Sequence, residues 1–311
     1  MTLLKRKRVL AAKTETTIGT AESLSGTNAG FNAYDIMVQT ETEFDTREAE
    51  GAFALRPSVP QGYKGKATFK IDAGWDGTST VPAWADTFLP ACGWVKSGSV
   101  FTPRTEAPGS NVKTLTIAAY IDGMRKLLSG CVGTFKLNCP SGKAAFFEFE
   151  FIGIWSTPTD VSILAPTYAT ALPLRFANSS TQWNSADLQL ESLVLDSGNE
   201  MTLRQSAVAT SGFIAGIITN RLVKVTGNPE AKLVATQDRY GALLAMTEGA
   251  LTWDLDGPTN SKITVAAPKA QIVAAQEGDR NKLVTDELEW QCNRNGSTAD
   301  QEASITFTAA S

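Results

Sequence analysis

Apolar and polar residues alternate along much of this chain with the period of two that sends successive side chains to opposite faces of a β-strand. The clearest case is Ala145–Trp155, with Phe147, Phe149 and Phe151 on one side and Glu148 and Glu150 on the other, so that one face packs and the other is wet. Tyr63–Ala73 sets Ala67, Phe69 and Ile71 against Lys66, Thr68 and Lys70. Strands are also predicted over Lys113–Ile121, Thr134–Cys139, Phe213–Val225, Ala250–Leu255, Lys262–Ala266, Ala270–Ala275, Lys282–Gln291 and Ala303–Thr308, with short pieces within 32–44 and 51–59. Ala186–Asp196 and Met201–Arg204 read as a hairpin across the Gly198-Asn199 turn.

Helical spacing is scarce. Trp84, Phe88 and Cys92 lie at i, i+4 and i+8 after a cap at Thr80 and a first-turn Pro82, and Pro90 is expected to stop this helix near Leu89. A second helix is predicted within Gln237–Thr247, with Tyr240, Leu243 and Leu244 on one face and Gly249 as the stop. The fold class is therefore mainly β, with a short flanking helix in each half.

The halves resemble each other. Leu115–Gly153 has a faint second copy in Leu251–Trp290: strand, Asp-Gly turn, strands, then a Gly-containing turn and a strand alternating apolar with acidic residues. The expected organisation is an N-terminal arm over 1–30, a β-sandwich or barrel module over 31–157, a linker over 158–174 and a second such module over 175–311. Residues 1–30 show no sustained period; an arm ordered by docking on a neighbour and a plain disordered terminus both fit them. Ser156–Leu174, with Pro158, Pro166 and Pro173, reads as an extended linker.

Composition narrows the chemistry. With 311 residues and no run near the ~20 apolar residues of a membrane span, the chain is expected to be globular, to span no membrane and to fold in a cytoplasm. The basic N-terminus has no adequate apolar stretch behind it for a secretory signal. Histidine is absent, which removes Ser-His-Asp and Cys-His triads and imidazole ligands. The four cysteines are far apart without a CxxC pair, which argues against zinc and for small buried apolar residues. Lys5, Arg6, Lys7, Arg8 and Lys13 place +5 on the first thirteen residues; the whole carries −4, so the remainder carries −9. A basic tip on an acidic body is unlike a nucleic-acid-binding face and suits docking on another copy.

Candidate chemical sites are weak. Asp254–Asn260 begins like a calcium loop, but Pro258 takes the third ligand position and Val265 the twelfth, so a hairpin turn is expected, as at Asp122-Gly123. Glu148 with Glu150, or Glu287 with Glu289, sit roughly 7 Å apart on a strand, a spacing glycosidases use. A solvated strand face explains them better, because both halves carry the feature. No glycine-rich phosphate loop opens a helix, and the glycosylation patterns at Asn178 and Asn295 are read as coincidental. Neither a cofactor nor an enzymatic role is expected.

The order of segments resembles the tail tube (major tail) proteins of long-tailed bacteriophages. GYKGKATFKIDA, VPAWADTFLPACGW, KTLTIAAYIDGMRKLLSGCVGTFKL and FEFEFIGIWSTPTD are similar to that family's sheet, helix and hairpin series, and NKLVTDELEWQCN with ADQEASITF to its ending. The resemblance implies subunits in rings stacked into a hollow tube in the virion tail, through which DNA passes without specific binding. It also implies tape measure and tail terminator or tip proteins as partners. A chain with two modules then implies a trimer of pseudo-sixfold symmetry, and duplication favours the sheathless kind of tail. Glu148, Glu150, Glu287 and Glu289 are expected to line the lumen, where an acidic wall repels phosphate; an outward or neighbour-facing position is the alternative. Lys5, Arg6, Lys7 and Arg8 are expected to make inter-ring contacts, with the Gly74–Pro82 loop and the linker as further candidates. Deleting residues 2–13 is expected to leave folded subunits that grow tubes poorly. The rival readings are a capsid decoration or tail-tip protein and a carboxylate-dependent glycan hydrolase.

Overall fold

The computed structural model describes residues 2–51, 53–77, 81–257, 261–297 and 299–309. The expected cap at Thr80 and the loop proline Pro258 lie outside them. The first half contains β1 (Arg8–Thr14), β2 (Ala33–Thr40), β3 (Phe44–Glu48), β4 (Leu55–Pro60), β5 (Lys64–Asp72), helix α1 (Ala83–Ala91), β6 (Trp94–Ser97), β7 (Val100–Pro103), β8 (Leu115–Ile121), β9 (Met124–Pro140) and β10 (Phe146–Asp160). The second contains β11 (Gln182–Trp183), β12 (Ala186–Asp187), β13 (Leu190–Asp196), β14 (Asn199–Gln205), β15 (Phe213–Arg221), β16 (Lys224–Pro229), helix α2 (Arg239–Leu244), β17 (Glu248–Asp256), β18 (Lys262–Arg280), β19 (Leu283–Cys292) and β20 (Ser304–Thr308). The protein is mainly β, as the alternation predicts.

Pairing follows the same order twice. In the first half the sheet runs β8-β9-β10-β5-β2, and in the second β17-β18-β19-β16-β13. Each half also inserts a separate two-stranded ribbon between its last two partners, β3-β4 between β2 and β5, and β14-β15 between β13 and β16. Matched rows of packed residues cross the four central strands: Val38, Ala67, Phe151 and Gly133 in one half, Leu195, Val225, Trp290 and Ile272 in the other.

The halves are joined, not strung on a linker. β13 pairs with the distal end of β9, from Ser192 opposite Pro140 to Asp196 opposite Lys136, so one sixteen-stranded sheet spans both. β20 pairs with β18 and reaches back to β7, Ile305 lying opposite Phe101. One apolar cluster runs from Leu10 to Phe307.

Several expectations need correction. Residues 1–30 are not an arm awaiting a neighbour: β1 pairs with β8 along its whole length, from Arg8 opposite Ile121 to Thr14 opposite Leu115. Its Leu10 and Ala12 join the main cluster, while Val9 and Ala11 join a second one with Ala118, Tyr120 and Leu127. A strand buried on both faces has no polar alternation to betray it. The linker is likewise built in: β10 continues to Asp160, Val161, Ile163 and Leu164 pack on the second cluster, and Leu174 bonds to Ala73 and Ala145 through its backbone.

The expected hairpin across Gly198-Asn199 does not form. β13 stays in the main sheet and β14 pairs with β15 instead, because the chain breaks direction at Gly198 (φ +59°), where a Cβ would lie 1.9 Å from the Leu222 carbonyl. Ser197 Oγ donates to Phe135 O and accepts from Phe135 N, fixing the break against β9. Pro90 does not end α1 at Leu89. The helix runs to Ala91, since a proline in the last turn costs only one bond, and Gly93 (φ +73°) terminates it. Lys262–Ala266 and Ala270–Ala275 are one long strand, β18, with Pro268 accommodated where the register with β17 slips. α2 spans only six residues and buries Arg239; Tyr240 and Leu244, expected on its packed face, are exposed. The predicted turn at Asp122-Gly123 is present, with positive φ at both residues and Ile121 opposite Met124.

Candidate functional site

The wet face of the joined sheet is continuous across β2, β5, β10, β9, β13, β16, β19 and β18. Strand alternation puts Phe147, Phe149 and Phe151 of β10 inward, and Phe146, Glu148 and Glu150 on this outer side. Register brings Glu287 and Glu289 to the same face: Glu150 lies opposite Thr68 and Thr134, and Glu289 opposite Thr226 and Ala274. The four glutamates therefore occupy matching positions in the two halves, at the floor of two shallow troughs.

The face is not an acidic stripe, because lysines stand among its glutamates. Lys70 Nζ lies 3.1 Å from Glu148 and Lys66 Nζ 2.5 Å from Glu150, both reaching across from β5. Lys224 pairs with Glu289 at 2.7 Å, and Lys136 with Asp196 at 3.1 Å across the joint between halves. Glu287 receives the Thr285 hydroxyl at 3.4 Å. The hydrogen bond from Lys70 to Glu148 and the neighbouring charge raise the Lys70 pKa, so its ammonium is held charged. Exposed pairs of this kind contribute roughly 0–1 kcal/mol each, so they set the electrical character of the face more than its stability. The lysines of Tyr63–Ala73 were visible in the sequence, but which carboxylates they meet depends on register.

The face ends in two edges. Among the described residues β2 pairs with β5 alone, and β18 beyond Gln271 pairs with β19 alone. Backbone groups along such an edge are a template for another strand. The two edges occupy opposite ends of the path and belong to corresponding places in the repeated order: β2 corresponds to β13, and distal β18 to distal β9.

The basic cluster is split by the fold. Lys7 Nζ lies 2.7 Å from Asp122, which also receives the Leu4 backbone N–H; these bonds, with Lys7 first, hold the Asp122 carboxyl below its ordinary pKa. The Arg8 guanidinium donates to the Ile36 carbonyl. Lys7 and Arg8 thus fasten the start of β1 to the rest of the chain, and Lys5 and Arg6 alone of the four stand in an exposed turn.

Other polar clusters are structural. Arg239 and Asp286 form a buried pair at 2.6 Å, with Gln237 and the Glu230 carbonyl completing the guanidinium's bonds. Asp254 is held by Lys262 at 2.8 Å and Thr264 at 2.7 Å. Among the described residues no group of three or more Cys, Asp or Glu is placed to hold a metal ion, and no helix is long and apolar enough to cross a membrane. All four cysteines are buried and outside any disulfide, and burial raises their thiol pKa values. Neither a protein-family model nor a curated protein matches this chain.

Proposed function

We propose that this chain is a structural subunit that closes head to tail into rings, and that the rings stack into a hollow tube of the bacteriophage tail type. The observation that carries the reading is the internal joint. β13 of the second half completes the sheet at distal β9 of the first, and the same join is left open at β2 and distal β18. Repeating the internal register between copies sets Gln39 opposite Gln276, as Asp196 stands opposite Lys136, and Met37 opposite Gly278, as Val194 stands opposite Asn138. The two halves are then tandem modules, and three copies make a pseudo-sixfold ring whose inner wall is the wet face. A heterologous contact of this kind closes into a ring when its rotation permits.

A wall of paired lysines and glutamates suits a DNA conduit. Phosphate gains affinity from each unpaired basic group through counterion release, and a cation already matched by a carboxylate offers little of it. Lys5 and Arg6 remain as charges for contacts between rings. Tape measure and tail terminator or tip proteins are the partners that the resemblance implies, in a virion tail built in the host cytoplasm. A decoration or tail-tip protein shares the fold class but needs no complementary edges. Negative-stain microscopy of the purified chain separates the two: rings or rods without a partner are expected, and a uniformly monomeric particle at high concentration overturns the proposal.

A further inference from the structure

The repeated order also assigns a partner to the β3-β4 ribbon. Its counterpart β14-β15 does not stand free; it lies over the first half. Asn199 Nδ2 donates to Cys92 O at 2.8 Å and Gly133 O at 2.9 Å, which ties the ribbon to the end of α1 and to β9. Ala215 is buried against Gly130, and Ile218 approaches Gly93 so closely that a Cβ there would lie 3.1 Å from its Cδ1. The C-terminal end of α1 and the middle of β9 are thus covered by the ribbon of the following half.

β3-β4 holds the same place in the first half, yet every residue of both strands is exposed. Phe44 is 61% exposed, Leu55 65% and Val59 46%, so the ribbon offers apolar side chains that its own subunit does not cover. The counterpart of its expected seat is also bare. Leu244 at the end of α2 is 83% exposed and Met246 70%, with Tyr240 and Val273 exposed beside them. Met246 (φ +54°) follows α2 as Gly93 (φ +73°) follows α1. Exposed apolar groups on the ribbon that follows β2 and on the helix beside β18 suit a contact between copies.

We infer that the β3-β4 ribbon of one copy seats on α2 and the outer flank of β18 of the next, repeating between subunits the contact that β14-β15 makes within one. This rests on the head-to-tail reading of the edges, and names a second surface that the same neighbour must bury. A disulfide scan in the full chain tests it. Leu55→Cys or Val59→Cys is combined with Leu244→Cys or Met246→Cys; the native thiols are buried, so the introduced ones react. Oxidation is expected to give a ladder of covalent oligomers from at least one double variant and none from the single variants. The double substitution Phe44→Ser/Leu55→Ser is expected to cut assembly at least tenfold without moving the subunit's melting temperature, since these side chains touch little of their own chain. Normal rings in this serine variant, together with no cross-link in any of the double-cysteine variants, overturn the inference and leave the ring reading intact. A wild-type chain that never leaves the monomer overturns both.

Discussion

Glu15 shows how much of this fold a single side chain can hold. Its carboxylate is buried and accepts from Thr114 Oγ1 at 2.7 Å, Thr116 Oγ1 at 2.9 Å, Gly130 N at 2.7 Å and Gly19 N at 2.8 Å. It thereby ties the end of β1 to β8, to the kink of β9 and to the loop on which β15 lies. Glu15→Ala would leave buried donors without an acceptor, at a cost of about 1–3 kcal/mol for each group that water cannot reach. A loss of roughly 3 kcal/mol is expected in urea unfolding, with the slope unchanged. Nothing in the sequence distinguishes Glu15 from a solvated glutamate, because its four donors come from positions far along the chain or from backbone N–H groups that the fold alone aims inward. Gly130 (φ +60°) is a similar case, its conformation bringing the β9 backbone against Ala215.

At the scale of elements, β1 changes what a truncation means. With Val9, Leu10, Ala11 and Ala12 buried between two clusters, removing residues 2–13 strips all of β1 but Thr14 from β8. Burial of the Val and Leu side chains alone is worth on the order of 4 kcal/mol. The truncated chain is therefore expected to be destabilised or insoluble, contrary to the expectation of folded subunits. Removing residues 2–6 spares β1 and removes Lys5 and Arg6; this shorter truncation is expected to melt within a few degrees of the full chain, as differential scanning calorimetry would read, while forming shorter tubes. The ribbons teach the complementary lesson. β3-β4 and β14-β15 are equivalent in connectivity, but the second has a surface beneath it and the first does not.

For the whole molecule, the internal joint is a template whose chemistry can be transferred. Asp196 and Lys136 pair across it, whereas the proposed joint between copies sets two glutamines face to face. Gln39→Asp with Gln276→Lys is expected to strengthen association, and Gln39→Lys with Gln276→Lys to weaken it, by a few tenths to 1 kcal/mol per contact. Mass photometry across a protein dilution series would read both shifts, and salt should diminish them. Equal behaviour of the two variants would mean that these residues do not meet.

The strand-rich class, the short helix of each half, the Asp122-Gly123 turn and the inward set of β10 are legible in the residues alone, since all of these follow from local periodicity and turn chemistry. Glu148, Glu150, Glu287 and Glu289 come into view as matching pairs for the same reason. That they share one face, that lysines of neighbouring strands neutralise most of them, and that the halves fuse through β13 and β9 emerge with the folded chain. Those facts depend on register and on pairings far apart in sequence, and a strand's own alternation says which side is wet without saying what lies across from it.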